Sequence, residues 1–383
     1  VLIAEPALPP GTLAAIRQPF EAFGGVAVDA PVLQPLSLLL DLAGEAMRSR
    51  LFVVQSESAE EQALRPDFTI PLVQSHIASG AAAGRYVYQG KVFLAPDLAA
   101  ADGPAQPSEF LQIGAELFGA GADPGADDAR IAALAWNAAV AGGRGDLSLH
   151  LGDPGLFRGF LRALDVAPPA ALRLERALRN TRALAVELGR EPGAADARHA
   201  RLADLLAGLS ETESAALLEE VWRMSGIQPV GGRSAADIVH RLTARAADAR
   251  APKLAPAEVE RIESFLAVSG QPAAVLDEIG RLAGPAAGPA LIPLLDGWRR
   301  RLDAMVGHGT PVDALHLATA FVRPFDYYDG MLFEVRSAAL GADQPVAAGG
   351  RYDTLPSRFG GAPGAVGCMV RPGRAAAPAQ GVA

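Results

Sequence analysis

An α+β fold is predicted: a mainly antiparallel sheet flanked by helices and interrupted by a helical insertion. Three observations predict it. Strand patterns fill much of residues 1–150, mainly helical text follows over 151–310, and strand patterns return near Ala314. Two long strand patterns, Tyr86–Phe93 and Glu109–Phe118, flank a loop rich in Ala, Pro and Gly, the spacing of an antiparallel hairpin with an enlarged loop. No period of about 20–50 residues repeats, which argues against a solenoid or propeller. The expected domains are a discontinuous core over 1–150 and 311–375, an insertion over 151–310, and a frayed tail over 376–383.

Each element has its own local reason. Gly11 to Phe23 fits a helix, kinked or broken at Pro19, whose ring clashes with the preceding turn. The β-branched segment Val26-Ala27-Val28 leads to Pro31, and Leu51 to Val54 reads as a strand. Thr69 suits the N-cap of a short helix running through His76 and Ile77. Ala126 to Ala141 is helical and Leu147 to Leu151 strand-like. Within the insertion, Leu202, Leu205, Leu206 and Leu209 share a helical face. Ser210 and Glu213 form a capping box for a helix whose apolar face is Leu217, Leu218, Val221 and Trp222. The closing strands are Ala314–Leu317, Met331–Arg336 and Ala365–Val370.

Composition narrows the function. The net charge of −9 and a pI near 5.3 argue against a nucleic-acid surface, so no tRNA partner is expected. The single cysteine, Cys368, excludes an internal disulfide and a cysteine-based zinc site, and the six histidines show no metal spacing. No metal and no cofactor are expected. The start lacks the pattern of a signal peptide, and no apolar run reaches the roughly 18 residues of a membrane span. A soluble, cytoplasmic protein with no membrane partner is the expectation. Gly119, Gly121 and Gly125 lack the GxGxxG spacing, and Asp123, Asp127 and Asp128 would repel a phosphate there.

The segment Arg323-Pro324-Phe325-Asp326-Tyr327-Tyr328-Asp329-Gly330-Met331-Leu332-Phe333-Glu334 carries the most information. Four further blocks stand in order around it. They are Leu64-Arg65-Pro66-Asp67-Phe68-Thr69, Tyr88-Gln89-Gly90-Lys91-Val92-Phe93, Glu109-Phe110-Leu111-Gln112-Ile113-Gly114-Ala115-Glu116 and Gly349-Gly350-Arg351-Tyr352-Asp353. Together they resemble the RGLDYYTGTVFE, LRPEGT, motif 2, REFHQFGVE and GGRYD blocks of histidyl-tRNA synthetases, with Asp29-Ala30-Pro31 at the place of the motif 1 proline. The resemblance runs from about residue 10 to 374. It implies a class II aminoacyl-tRNA synthetase-like core.

A free amino acid needs acceptors for its ammonium, a cation for its carboxylate and, for an imidazole, a further acceptor. Gln112 and Glu116, four apart on a strand, project to one face, as do Asp67 and Thr69 in an extended segment. Singly, each has an ordinary reading, as an edge charge, a core aromatic or a surface ion-pair residue. By resemblance, Asp67, Thr69 and Gln112 would hold the ammonium, Glu116 and Tyr328 the imidazole, and Arg323 the carboxylate, with Tyr327 beside them. No residue is expected to be catalytic. Where the family's motif 2 places an arginine on the ATP phosphate, this chain has Leu94, followed by Ala95 and Pro96, and the loop from Ala95 to Ser108 has no Lys or Arg. Motif 3 survives as Gly367 to Arg374, but Pro372 and Gly373 break its helix. The chain also stops where an anticodon-binding domain would begin.

This combination resembles the synthetase-like regulatory subunits of ATP phosphoribosyltransferase. That resemblance implies a non-catalytic protein that associates as a dimer and partners the short-form catalytic subunit. It also implies L-histidine as effector, in feedback inhibition of the first step of histidine biosynthesis. The alternatives are a class II-type amino-acid ligase and a degenerate histidyl-tRNA synthetase.

Overall fold

The computed structural model describes residues 5, 7–9, 11–43, 45–55, 61–95, 107–119, 123–178, 180–189, 209–225, 234–236, 238–239, 254–322 and 327–376. Arg323 to Asp326, Pro96 to Gln106, the leucines at 202, 205 and 206, and the tail beyond Ala376 lie outside the described residues. Ala376 itself, expected to begin the frayed tail, forms an isolated antiparallel bridge with Gly143.

The described residues form two compact units, Val1–Phe160 with Ser264–Ala383, and Leu161–Glu263. The first is built on a nine-stranded sheet in the order β1-β5-β6-β12-β11-β10-β7-β9-β8. Its strands are β1 (Val26–Ala27), β5 (Gly84–Phe93), β6 (Glu109–Phe118), β7 (Leu147–Gly152), β8 (Ser269–Gly270), β9 (Leu315–Ala318), β10 (Leu332–Ser337), β11 (Ala347–Arg351) and β12 (Ala365–Val370). A small sheet of β2 (Leu33–Pro35), β3 (Val53–Val54) and β4 (Gln62–Leu64) stands beside it in the order β2-β4-β3. The pairs β5–β6, β6–β12, β12–β11, β11–β10 and β10–β7 are antiparallel, whereas β1–β5 and β7–β9 are parallel.

The hairpin patterns become β5 and β6, paired over their whole length from Gly84↔Phe118 to Phe93↔Glu109. Helix α1 (Thr12–Phe23) continues through Pro19, burying Ile16, Phe20 and Phe23. Helix α2 (Leu36–Ala43) buries Leu36, Leu39, Leu40 and Leu42. Helix α4 (Pro124–Val140) packs on β12, β11 and β10 through an alanine-rich face, and small side chains let it lie close to the sheet. Asp123 caps it by accepting from the Gly125 and Ala126 amides at 2.9 and 3.3 Å, so the acidic turn serves the helix itself.

Helix α3 (Thr69–Ala78) corrects one expectation. Phe68 occupies the N-cap position without a side-chain cap, and Thr69 is the first helical residue. Its hydroxyl donates to a buried carboxylate, where an unpaired acceptor would cost more than a frayed helix end.

The second unit also departs in detail from the 151–310 read from sequence. Residues 151–160 and 264–310 cluster with the sheet, because Phe157 and Phe160 pack on Phe265 and the helix Gly288–Gly307 packs on α4. The capping box forms, with the Ser210 amide donating to Glu213 at 2.7 Å and the Glu213 amide to Ser210 Oγ at 3.2 Å. On the helix it starts, Glu211–Ser225, Leu218 and Trp222 join Ala215, Ala235 and Val239, but Leu217 and Val221 face outward.

Candidate functional site

The site is assembled on one face of the large sheet, from a row of residues in register. Glu116 on β6 pairs with Gly367 on β12, Gly367 with Gly350 on β11, Gly350 with Leu332 on β10, and Leu332 with Gly152 on β7. Three glycines in this row leave the strands bare. Larger neighbours fill the space. A Cβ on Gly367 would lie 1.5 Å from Glu116 Oε2, and one on Gly350 would lie 2.9 Å from Tyr328 Cδ1. The glycines let Glu116 and Tyr328 lie across adjacent strands rather than stand clear of them.

Glu116 is 1% exposed and accepts from Thr69 Oγ1 at 2.9 Å and from the Tyr352 hydroxyl. Burial, reinforced by the charge of Asp67, pushes its carboxyl up to about 8 against the pull of those two donors. Burial and the neighbouring Glu116 likewise raise Tyr352 well above the ordinary phenol range. Asp67 accepts from the Tyr327 hydroxyl at 3.3 Å. Gln112 is 4% exposed, and its Oε1 has no hydrogen-bond partner among the described residues. Such an acceptor carries a desolvation cost that a ligand N–H would relieve.

The segment bearing Asp67 and Thr69 is held by Arg65. Its Nε donates to the Lys91 carbonyl at 2.9 Å, its Nη1 to Asp29 at 3.1 Å and to the Ala30 carbonyl, and its guanidinium lies 4.1 Å from the Phe68 ring centre. Phe68 stacks on Tyr88 at 4.3 Å, and Tyr88 donates to the Cys368 carbonyl at 3.3 Å. Tyr328 packs 4.7 Å from Tyr327 and 6.3 Å from Tyr352, ring centre to ring centre.

Thus the structure brings Asp67, Thr69, Gln112, Glu116, Tyr327 and Tyr328 to the same sheet face, all buried. Arg323 lies outside the described residues. Sequence reasoning missed Tyr352, the direct partner of Glu116, and the glycines beneath the site. The Gly349-Gly350-Arg351-Tyr352-Asp353 block was the signal. Its glycines mark close approach, and its tyrosine follows them into the site.

Around the site, Leu94 packs with Ala30, Phe68, Leu72, Tyr88, Val92 and Phe110 in an apolar cluster. The motif 3 segment forms only the four-residue helix Pro372–Ala375, as its proline and glycine suggest. A separate cavity of 590 Å³ between α1 and α4, lined by Phe23, Arg130, Asn137 and His308 among others, shares no residue with the site. Among the described residues there is no cluster of three or more potential metal ligands.

Comparison with known proteins agrees with this architecture. The histidyl-tRNA synthetase family matches residues 12–230 and 213–373. The ATP phosphoribosyltransferase regulatory subunit of Brucella canis is 35% identical over 354 residues, covering 90% of each chain. That of Brucella anthropi is 33% identical over 342 residues, covering 87% of each. Among solved structures, an ATP phosphoribosyltransferase regulatory subunit/histidyl-tRNA synthetase from Bacillus halodurans is similar with a TM-score of 0.62 at 20% identity, over 97% of this chain and 80% of that one. Histidyl-tRNA synthetase from Nostoc sp. has a TM-score of 0.60 at 16% identity, over 95% of this chain and 69% of that one. These structural likenesses establish the class II synthetase-like fold. The sequence relatives go further, and the chain belongs to the family of ATP phosphoribosyltransferase regulatory subunits.

Proposed function

We propose that this chain is a histidine-sensing, non-catalytic subunit that activates a short-form ATP phosphoribosyltransferase and makes it sensitive to feedback by L-histidine. The observation that carries the reading is Glu116, a buried carboxyl on the same strand face as the orphaned acceptor of Gln112. An imidazole N–H donates to Glu116, and an ammonium donates to Gln112 and Asp67. Thr69 and Tyr352 hold the Glu116 carboxylate in place from two sides. Tyr328 closes over Gly350 against the ring, and Arg323 takes the ligand carboxylate. Leu94 offers no charge to a phosphate, so adenylation of the bound amino acid does not follow. The chain acts by biasing its partner, because an effector shifts an equilibrium only through differential binding to two states.

Reconstitution tests this directly. Mixed with a short-form catalytic subunit from the same source, the protein should co-elute as a larger assembly, raise its activity and confer inhibition by histidine. Glu116→Ala should assemble normally but bind histidine about five- to 150-fold more weakly, the cost of roughly 1–3 kcal/mol for an unpaired buried donor. Histidine-dependent exchange of pyrophosphate into ATP should stay at background. Robust exchange, or no co-elution across concentration and salt, would transfer the assignment to an amino-acid ligase.

A further inference from the structure

Tyr352 reaches Glu116 from the position just past the end of β11, where its own amide still donates to the Ala365 carbonyl of β12 at 2.8 Å. Its two neighbours are also tied to each other. Arg351 Nη1 donates to Asp353 Oδ1 at 2.8 Å, and the same oxygen accepts from the Ala365 amide at 3.0 Å. Strand alternation sends Arg351 to the opposite face of the sheet from Gly350 and the site. There its Nε meets Asp128 Oδ1 on α4 at 2.7 Å, and its Nη2 donates to the Pro124 carbonyl at 2.8 Å.

Asp128 is fully buried, and its second oxygen accepts from Arg301 Nε at 2.9 Å, on the helix Gly288–Gly307. Arg301 lies 4.8 Å from the Trp298 ring centre, and Trp298 Nε1 donates to Asp153 at 2.8 Å. So expensive a set of buried charges is unnecessary for stability, since apolar replacements of buried ion pairs are often neutral or better. What the set supplies is geometry. Both oxygens of Asp128 and every nitrogen of the Arg351 guanidinium are engaged, which fixes the residue next to Tyr352 in every direction. A ligand-contacting group needs placing to about 0.5 Å.

We propose that Asp128 is a positioning residue for the ligand site, fixing the aim of Tyr352 at Glu116 by clamping Arg351 from the opposite face of the sheet. The inference rests on the reading that Glu116 receives the imidazole of histidine. It predicts that Asp128 acts on affinity through Tyr352 alone.

Calorimetric titration of L-histidine into wild type, Asp128→Asn, Tyr352→Phe and the double variant tests it. Asp128→Asn should weaken binding roughly tenfold, and in the Tyr352→Phe background the same change should cost under about twofold. Arg351→Lys keeps a cation beside Asp128 but loses the fork, and should behave like Asp128→Asn; it also serves if that variant does not fold. A pH series adds a readout that a merely structural role would not move. Asp128 faces Arg351 from β11, Arg301 from the helix Gly288–Gly307 and Asp153, and burial pushes its carboxyl up to about 6. The gap in affinity between wild type and Asp128→Asn should therefore open above about pH 6 and close below it. Losses that simply add, or a gap independent of pH, would overturn the proposal while leaving the histidine site intact. Wild-type protein that does not bind histidine would overturn both.

Discussion

At the scale of the residue, Glu116 concentrates the chemistry. Its carboxyl is pushed from an ordinary 4.5 up to about 8 by burial, with Asp67 adding to the shift. Between those two values the folded chain holds a proton that the unfolded chain has released, so this group's contribution to stability falls as pH rises through the window. Glu116→Gln imitates the protonated carboxyl. Its melting temperature should match that of wild type near pH 5 and exceed it by a few degrees near pH 8.5, as followed by circular dichroism. A gap that does not change with pH would mean that Glu116 is ionised throughout. That Glu116 and Gln112 share a face was legible in the sequence, because strand alternation alone decides it. That Tyr352 would meet Glu116 was not legible. It depends on the registers of β6 with β12 and of β12 with β11, which are set by contacts far apart in sequence.

At the scale of the element, the long hairpin, the capped helix at Ser210 and the closing strands followed from periodicity and turn chemistry. Two elements escaped it. Thr69 carries a good capping side chain, but a buried carboxylate competed for its hydroxyl and won. Leu217 and Val221 fit a helical stripe, yet the packed stripe of that helix is the one bearing Ala215, Leu218 and Trp222. The pairing of β6 with β12 offers a test. Gly367 is needed because Glu116 lies across it, its Oε2 1.5 Å from where a Cβ would be. Gly367→Ala should cost about 1–3 kcal/mol in chemical denaturation, the range for overpacking a filled site. Shortening the intruding side chain should relieve the clash, so Glu116→Ala/Gly367→Ala should be more stable than Gly367→Ala alone. If the double variant is the weaker of the two, the glycine serves the backbone and not the side chain above it.

At the scale of the whole molecule, the order of sequence blocks was enough to place a discontinuous class II synthetase-like core, because each block carries a turn or a close approach that the fold requires. Association is less legible, since a partner surface need only be apolar and accessible. The motif 1 region, Val26 to Leu40, is expected to pair with a second copy, and its side chains have the character for it. Val26 is 61% exposed, Val32 42% and Leu33 45%, with Val53 of β3, at the other edge of the small sheet, at 41%. Exposed apolar side chains at the β1 edge of the large sheet and at both edges of the small one are a liability for a lone chain, because open strand edges and apolar surface recruit partners. A two-fold dimer would bury each copy's patch against its twin. Leu33→Asp brings two like charges together across such an axis and leaves the sheet's inward face untouched. Sedimentation velocity should show wild type at twice the mass of its chain, and Leu33→Asp shifted toward monomer with its melting temperature little changed at matched low concentration. A wild-type monomer would overturn the expected self-association, and a dimer indifferent to Leu33→Asp would place its interface elsewhere on the surface.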